Sequence, residues 1–242
     1  MKFDSILYVV GHEQSLHFKQ LFEVVHSLGY KEDFVHVAHG LYLSPSGGKM
    51  ASRTGQTVFM EDVLNETIAL ANKTIEEKNP DLKNKKEVSR LVAVGAIFFG
   101  DLMNDRVKDV VFDVNRILSF EGDTGPYLMY THARASSIIS KSKVKKFSVD
   151  AGLLSDETEI KVAKLLSKFP VVVQESVVQL KPHLVGQFLI ELGRSFNEFY
   201  HKCPVLGVDD ELMKSRLALV EATRQVLENG LFALGIVAPK EM

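Results

Sequence analysis

Strand-like text ends within the first 45 residues of this 242-residue chain. Ser5 to Val10, SILYVV, is a short β-favouring apolar run that stops at Gly11 and predicts a buried strand. Behind it Phe18, Leu21, Phe22, Val25 and Leu28 recur at helical spacing, and Gly29 is a suitable C-terminal stop. Residues 33–44, DFVHVAHGLYLS, predict a second strand. A single strand–helix–strand unit cannot cover both faces of a parallel sheet. The chain therefore opens as a remnant of a larger α/β fold.

After Thr57 the periodicity is helical. Val63, Leu64, Ile68, Ala71 and Ile75 mark one helix that ends at Asn79-Pro80. A second helix is predicted over Ser89 to Asn104, whereas residues 107–120 fit helix and strand equally. GDTGP at 122–126 is a break, and four helical segments follow it: 126–142, 156–180 with an interruption at Pro170, 182–202 and 209–234. The expected architecture is mainly α. Its ranges are 1–48 for the α/β remnant, 49–125 for a loop with connecting helices, and 126–242 for a helical domain.

Composition narrows the class further. The net charge of −2 does not by itself point to nucleic acid, although a local basic stripe would suffice for binding it. A lone cysteine, Cys203, rules out a disulfide framework and a cysteine-built zinc site, and it reads most simply as a small buried residue. The N-terminal apolar run is far shorter than a signal core or a membrane span, so a cytoplasmic chain without membrane contact is expected.

Four stretches carry chemistry. In SGGKMASRTGQTVFMEDV, 46–63, Lys49 supplies a fixed positive charge, and Gly47, Gly48 and Gly55 allow close backbone approach. Such a loop suits a polyphosphate, and it also suits a solvent-exposed turn. In GHEQSLHF, 11–18, Gln14 falls at a helix start beyond a strand, where open α/β sheets bind ligands, and helix capping would use the same position. In FEGDTGPYLMYTHARASS, 120–137, Tyr127, Tyr130 and Arg134 share a helix face that can stack unpaired bases or form the edge of a core. In FNEFYHKCPVLGV, 196–208, Phe196, Phe199, Tyr200 and Cys203 form an apolar stripe ended by Pro204. The run Lys141, Lys143, Lys145 and Lys146 complements a helix dipole or meets phosphate.

Together these stretches resemble the arginyl-tRNA synthetases, a family of class I aminoacyl-tRNA synthetases. GGKMASRTGQTVFMEDVL is similar to that family's Lys-Met-Ser-Lys signature loop. ILSFEGDTGPYLMYTHARASSII resembles its Phe-Glu-Gly-(Asn/Asp)-Thr-Gly-Pro-Tyr segment almost letter for letter. YVVGHEQSLHFKQLFEVVHSLGY, RSFNEFYHKCPVL and VLENGLFALGIVAPKEM resemble further segments in the same order. Ala51 and Thr54 replace two phosphate-directed residues of the signature, and its His-Ile-Gly-His partner motif is absent from these 242 residues. The resemblance thus implies an N-terminally truncated portion. It would hold the end of a Rossmann-like nucleotide-binding fold followed by a helix-bundle anticodon-binding domain.

The resemblance also implies roles. Lys49 would stabilise pyrophosphate, with Ser52 and Arg53 shaping the loop. Gln14 would bind substrate arginine, and Gly40 and Leu41 would meet the adenine of ATP. Tyr130, Arg134, Tyr200 and Met242 would lie at the tRNA anticodon. ATP and Mg2+ would serve the parent arginine–tRNA ligase, with no metal held by this chain. The piece alone would bind tRNA without activating arginine. The parent would be a monomer, and the piece would be prone to self-association through exposed sheet edges. A free-standing RNA-binding module of the same descent is the alternative, and a cysteinyl-type synthetase is a more distant one.

Overall fold

The computed structural model describes residues 3–43, 59–144, 147 and 149–242. These divide into two compact units: a small one of residues 3–43 with 104–113, and a larger one of residues 59–103 with 114–242. No helix among the described residues is long and apolar enough to cross a membrane.

The small unit is built on a parallel pair. Strand β1, Ser5–Gly11, runs beside β2, Asp33–His39, in register from Ser5 opposite Asp33 to Gly11 opposite His39. Helix α1, Ser15–Ser27, is the crossover, and an aromatic cluster fixes it to the strands. Phe18 is buried, its ring 5.1 Å from Tyr8 and stacked at 4.6 Å on His36, while Phe22 lies 5.8 Å from Phe34. Such ring pairs add to the area they bury, about 0.5–1.5 kcal/mol each.

The predicted strand over 33–44 is divided. It breaks at Gly40, and a two-residue strand β3, Tyr42–Leu43, pairs in parallel with β4, Val110–Val111. Packing against a distant segment overrides local β propensity here. A Cβ on Gly40 would lie 2.2 Å from the Lys108 carbonyl oxygen, so only glycine lets the 104–113 segment come this close. The ambiguous stretch 107–120 resolves into β4 and a single helical turn, α4, Val114–Ile117.

The larger unit is all helical. It comprises α2, Met60–Lys78, α3, Lys85–Leu102, α4, α5, Gly125–Ser142, α6, Glu157–Gln179, α7, His183–Lys202, and α8, Asp210–Ala233. Phe99 of α3, Leu128 and Met129 of α5, Phe196 and Phe199 of α7, and Leu217 and Leu227 of α8 are completely buried and form one core. Helix α6 runs unbroken through Pro170, where the sequence predicts an interruption. Pro170 is exposed, so the hydrogen bond it cannot make is lost on the solvent side, while Val162 and Leu165 hold the preceding turns in the core. A capping box of Asp156 and Glu159 starts α6. Glu159 is also buried against Arg216 of α8 at 2.7 Å, tying the start of one helix to the next layer. Beyond α8 the chain turns back, burying Ile236 and Pro239.

Candidate nucleic-acid interface

The start of α5 explains four letters of FEGDTGPY, Asp123 to Pro126. Thr124 caps the helix by accepting from the Tyr127 amide at 3.2 Å, and its hydroxyl donates to the Ser119 carbonyl at 2.5 Å. Pro126 occupies the first helical turn, where a missing N–H costs nothing. Asp123 pairs with Arg194 of α7. Gly125 sits where α5 crosses α3, and a Cβ there would be 2.5 Å from the Gly95 carbonyl oxygen. The segment therefore sets the position and direction of α5, and with it the residues one and two turns further on.

Those residues form the centre of a groove of about 1150 Å³ in the larger unit. The Arg134 guanidinium lies over the Tyr130 ring at 4.9 Å and over the Tyr200 ring of α7 at 5.7 Å. Asn197 of α7 orients it. Its Oδ1 accepts from the guanidinium at 2.7 Å, and its Nδ2 donates to the Tyr127 hydroxyl at 2.9 Å. Both aromatic rings keep a wet face, with Tyr130 40% and Tyr200 37% exposed. Behind them Phe120 meets Tyr130 edge-on at 6.5 Å, and Phe196 stacks on Tyr200 at 6.5 Å.

Three further segments wall the groove. The α2–α3 connection supplies Asn79, Asp81 and Lys83, the α7–α8 loop supplies Pro204 to Leu206, and the chain's last residues supply Lys240, Glu241 and Met242. Together with Arg134 and Lys141 the lining has four cationic side chains against the two carboxylates Asp81 and Glu241. Aromatic faces beside a planar cation within a mildly basic groove can stack unpaired bases and receive backbone phosphate. Lys141, in the last turn of α5, also lines this groove.

The last residues are held at two points. The Asn79 side chain donates to the Met242 carbonyl at 3.2 Å. His132 of α5 is completely buried, with Nδ1 2.9 Å from the Pro239 carbonyl oxygen. Burial pushes its imidazole below the usual histidine range, against the Pro239 bond, which favours the charged form. Its Nε2 has no hydrogen-bond partner among the described residues.

Of the residues singled out from the sequence, Tyr130, Arg134, Tyr200 and Met242 come together in this groove. Gln14 lies in the small unit, at the end of a single 3-10 turn beyond β1, exposed and without a capping bond. Gly40 and Leu41 follow β2 in the same unit. Both their amides are committed, Gly40 to the Arg106 carbonyl at 2.7 Å and Leu41 to the Asp109 carboxylate at 2.8 Å. Lys49, Ser52, Arg53 and the rest of the loop lie outside the described residues, as do Lys145 and Lys146. Among the described residues there is no group of three or more His, Cys, Asp or Glu side chains placed to hold a metal. Sequence reasoning missed Asn197 and the contact of His132. The signal for Asn197 was a lone amide inside the apolar stripe Phe196–Phe199–Tyr200.

Comparison with known proteins covers almost the whole chain. The DALR anticodon binding domain family matches residues 128–242, and the tRNA synthetases class I (R) catalytic domain family matches residues 1–114. The arginine–tRNA ligase of Clostridioides difficile is 43% identical over 99% of this chain and 43% of the relative. Arginine–tRNA ligase 2 of Bacillus anthracis is 45% identical over 99% of this chain and 42% of the relative. The Thermus thermophilus arginyl-tRNA synthetase structure superposes with a TM-score of 0.91 at 34% identity, over 99% of this chain and 41% of that one. The Plasmodium falciparum arginyl-tRNA synthetase shares the fold with a TM-score of 0.84. The chain spans about two fifths of the length of the relatives it matches.

Proposed function

The chain belongs to the arginyl-tRNA synthetase family, and from that premise we propose that its helical unit binds the anticodon loop of an arginine-accepting tRNA in the groove around Arg134. The observation that carries this reading is the guanidinium lying over two half-exposed tyrosine rings from different helices. Unstacked anticodon bases lie on the wet tyrosine faces, and Lys83, Lys141 and Lys240 take the neighbouring phosphates. The parent activity is the cytoplasmic, ATP- and Mg2+-dependent attachment of arginine to tRNA. Lys49 stabilises the pyrophosphate in that reaction, Ser52 and Arg53 shape its loop, and Gln14 binds the substrate arginine.

The nucleotide is a different matter for the described residues. Gly40 and Leu41 offer an adenine no free amide, and the space of a Cβ at Gly40 is filled by Lys108. The chain alone is expected to bind an arginine anticodon stem-loop and to give no ATP–pyrophosphate exchange.

Titration of the full chain with that stem-loop and with one of changed anticodon tests the reading. Preference for the arginine anticodon, weakened by Tyr130→Ala by about 1–3 kcal/mol, is the expected result. Equal affinity for both stem-loops, or an unaltered affinity in folded Tyr130→Ala, overturns it.

A further inference from the structure

Tyr130 and Arg134 are four residues apart on α5 and face the groove. His132 stands between them in sequence, about 200° around the helix from each, and is turned inward. There it makes one hydrogen bond, from Nδ1 to the Pro239 carbonyl at 2.9 Å. A carbonyl can only accept, so Nδ1 carries the proton. The other ring nitrogen is buried without a partner among the described residues, which is a cost a leucine of similar bulk would not incur. What the imidazole adds over an apolar side chain is therefore the bond to Pro239. That bond falls one residue before Lys240, Glu241 and Met242, which wall the groove, and Asn79 holds the far side of the same segment at the Met242 carbonyl.

We propose that His132 is a positioning residue for RNA binding: it never touches the ligand, and it clips the segment Pro239–Met242 so that this segment stands ready as a wall of the groove. The proposal rests on the reading of the groove as the RNA site. A segment outside any helix or strand stays loose unless tied down, and a loose wall must be ordered again each time ligand binds. With both clips in place that ordering is complete beforehand. The face of α5 that meets RNA and the face that fastens the wall are thus opposite sides of the same two turns.

Hydrogen exchange over residues 236–242 and stem-loop affinity, both measured on the full chain, test it with three variants. His132→Leu keeps the bulk and removes the donor. It should speed exchange of this segment while leaving the bundle core protected, and should weaken stem-loop binding about tenfold, the worth of one such bond. His132→Asn sets an amide donor where Nδ1 stands and should restore both readouts. Asn79→Ala loosens the other clip and should speed exchange at Met242 with His132 intact. Unchanged exchange in His132→Leu, or no rescue by His132→Asn, overturns the clip. Faster exchange with unchanged stem-loop affinity overturns its role in binding. If the wild-type chain binds no stem-loop, the reading of the groove fails, and exchange alone then decides the clip.

Discussion

A lysine at position 134 would keep the charge of Arg134 and lose its plane. The guanidinium lies over two rings while its edge donates to Asn197, an arrangement that needs a flat cation with several donors in fixed directions. Arg134→Lys is expected to weaken stem-loop binding by about 1 kcal/mol, the value of a partly exposed cation–ring contact, without altering the dependence on salt. Lys141→Ala should do the reverse in kind: a modest loss at any one salt concentration, and a logarithmic salt slope smaller by about one. Affinity measured at several salt concentrations separates the two, because a stacking contact releases no counterion. A distinct residue-scale effect belongs to Glu159. It is buried against the little-exposed Arg216 and also accepts from the Asp156 amide at 2.9 Å. Glu159→Ala removes the carboxylate partner of Arg216, which keeps its bond to the Pro204 carbonyl, and is expected to cost about 1–3 kcal/mol in urea unfolding.

At the scale of elements, the crossing of α3 and α5 is the contact that places the groove. Gly125 and Gly95 are both at this crossing, yet their substitution should differ. A Cβ at Gly125 meets main chain, the Gly95 carbonyl oxygen at 2.5 Å, which neither helix can withdraw without parting. A Cβ at Gly95 meets chiefly the Met129 sulfur at 2.7 Å, the flexible part of an adaptable side chain. Gly125→Ala should therefore cost about 1–3 kcal/mol and weaken stem-loop binding as α5 shifts, whereas Gly95→Ala should cost less and leave binding near its original value. Thermal unfolding and stem-loop titration of both variants check the order, and a reversal would mean that α5 is placed by some other contact. These elements also show what a sequence can reveal. The caps, breaks and periods of α5, α7 and α8 are local, so GDTGP and the apolar stripes announce them within a residue or so. Pro170 misleads because the helix around it is held by core contacts of Val162 and Leu165, which no local rule contains. Gly40 ends β2 early because of a segment near residue 108. Asn197 meets Arg134 across 63 positions and His132 meets Pro239 across 107, and such pairings leave no period to read. The rings and the cation were legible; what orients them was not.

At the scale of the whole molecule, the same buried histidine couples stability to pH. Burial holds the His132 imidazole below its unfolded value of about 6.5. Arg224 of α8 and Lys240 push in the same direction, while the Pro239 bond and Glu228 of α8 oppose them. Glu221, the remaining carboxylate on that face of α8, is held down chiefly by its own bonds to Arg224. As pH falls below about 6.5, the unfolded chain takes up the proton before the folded one does. Stability should then be complete above that pH, decline as pH falls through the folded value, and level off below it, with a slope of at most about 1.4 kcal/mol per pH unit. A second decline should begin near pH 4. The Asp156 carboxyl is held to about 2 by its bonds to Thr158 and then by Lys202, and its contribution is lost as pH falls from the ordinary carboxylate range through that value. Glu221, also held below its ordinary value, loses its contribution in the same direction. Urea midpoints from pH 8 to pH 3 should fall first below about pH 6.5, the upper step, and further below about pH 4, the lower one. His132→Asn, which keeps a donor and cannot titrate, should remove the upper step and leave the lower one. An upper step that survives in that variant would assign it to another group.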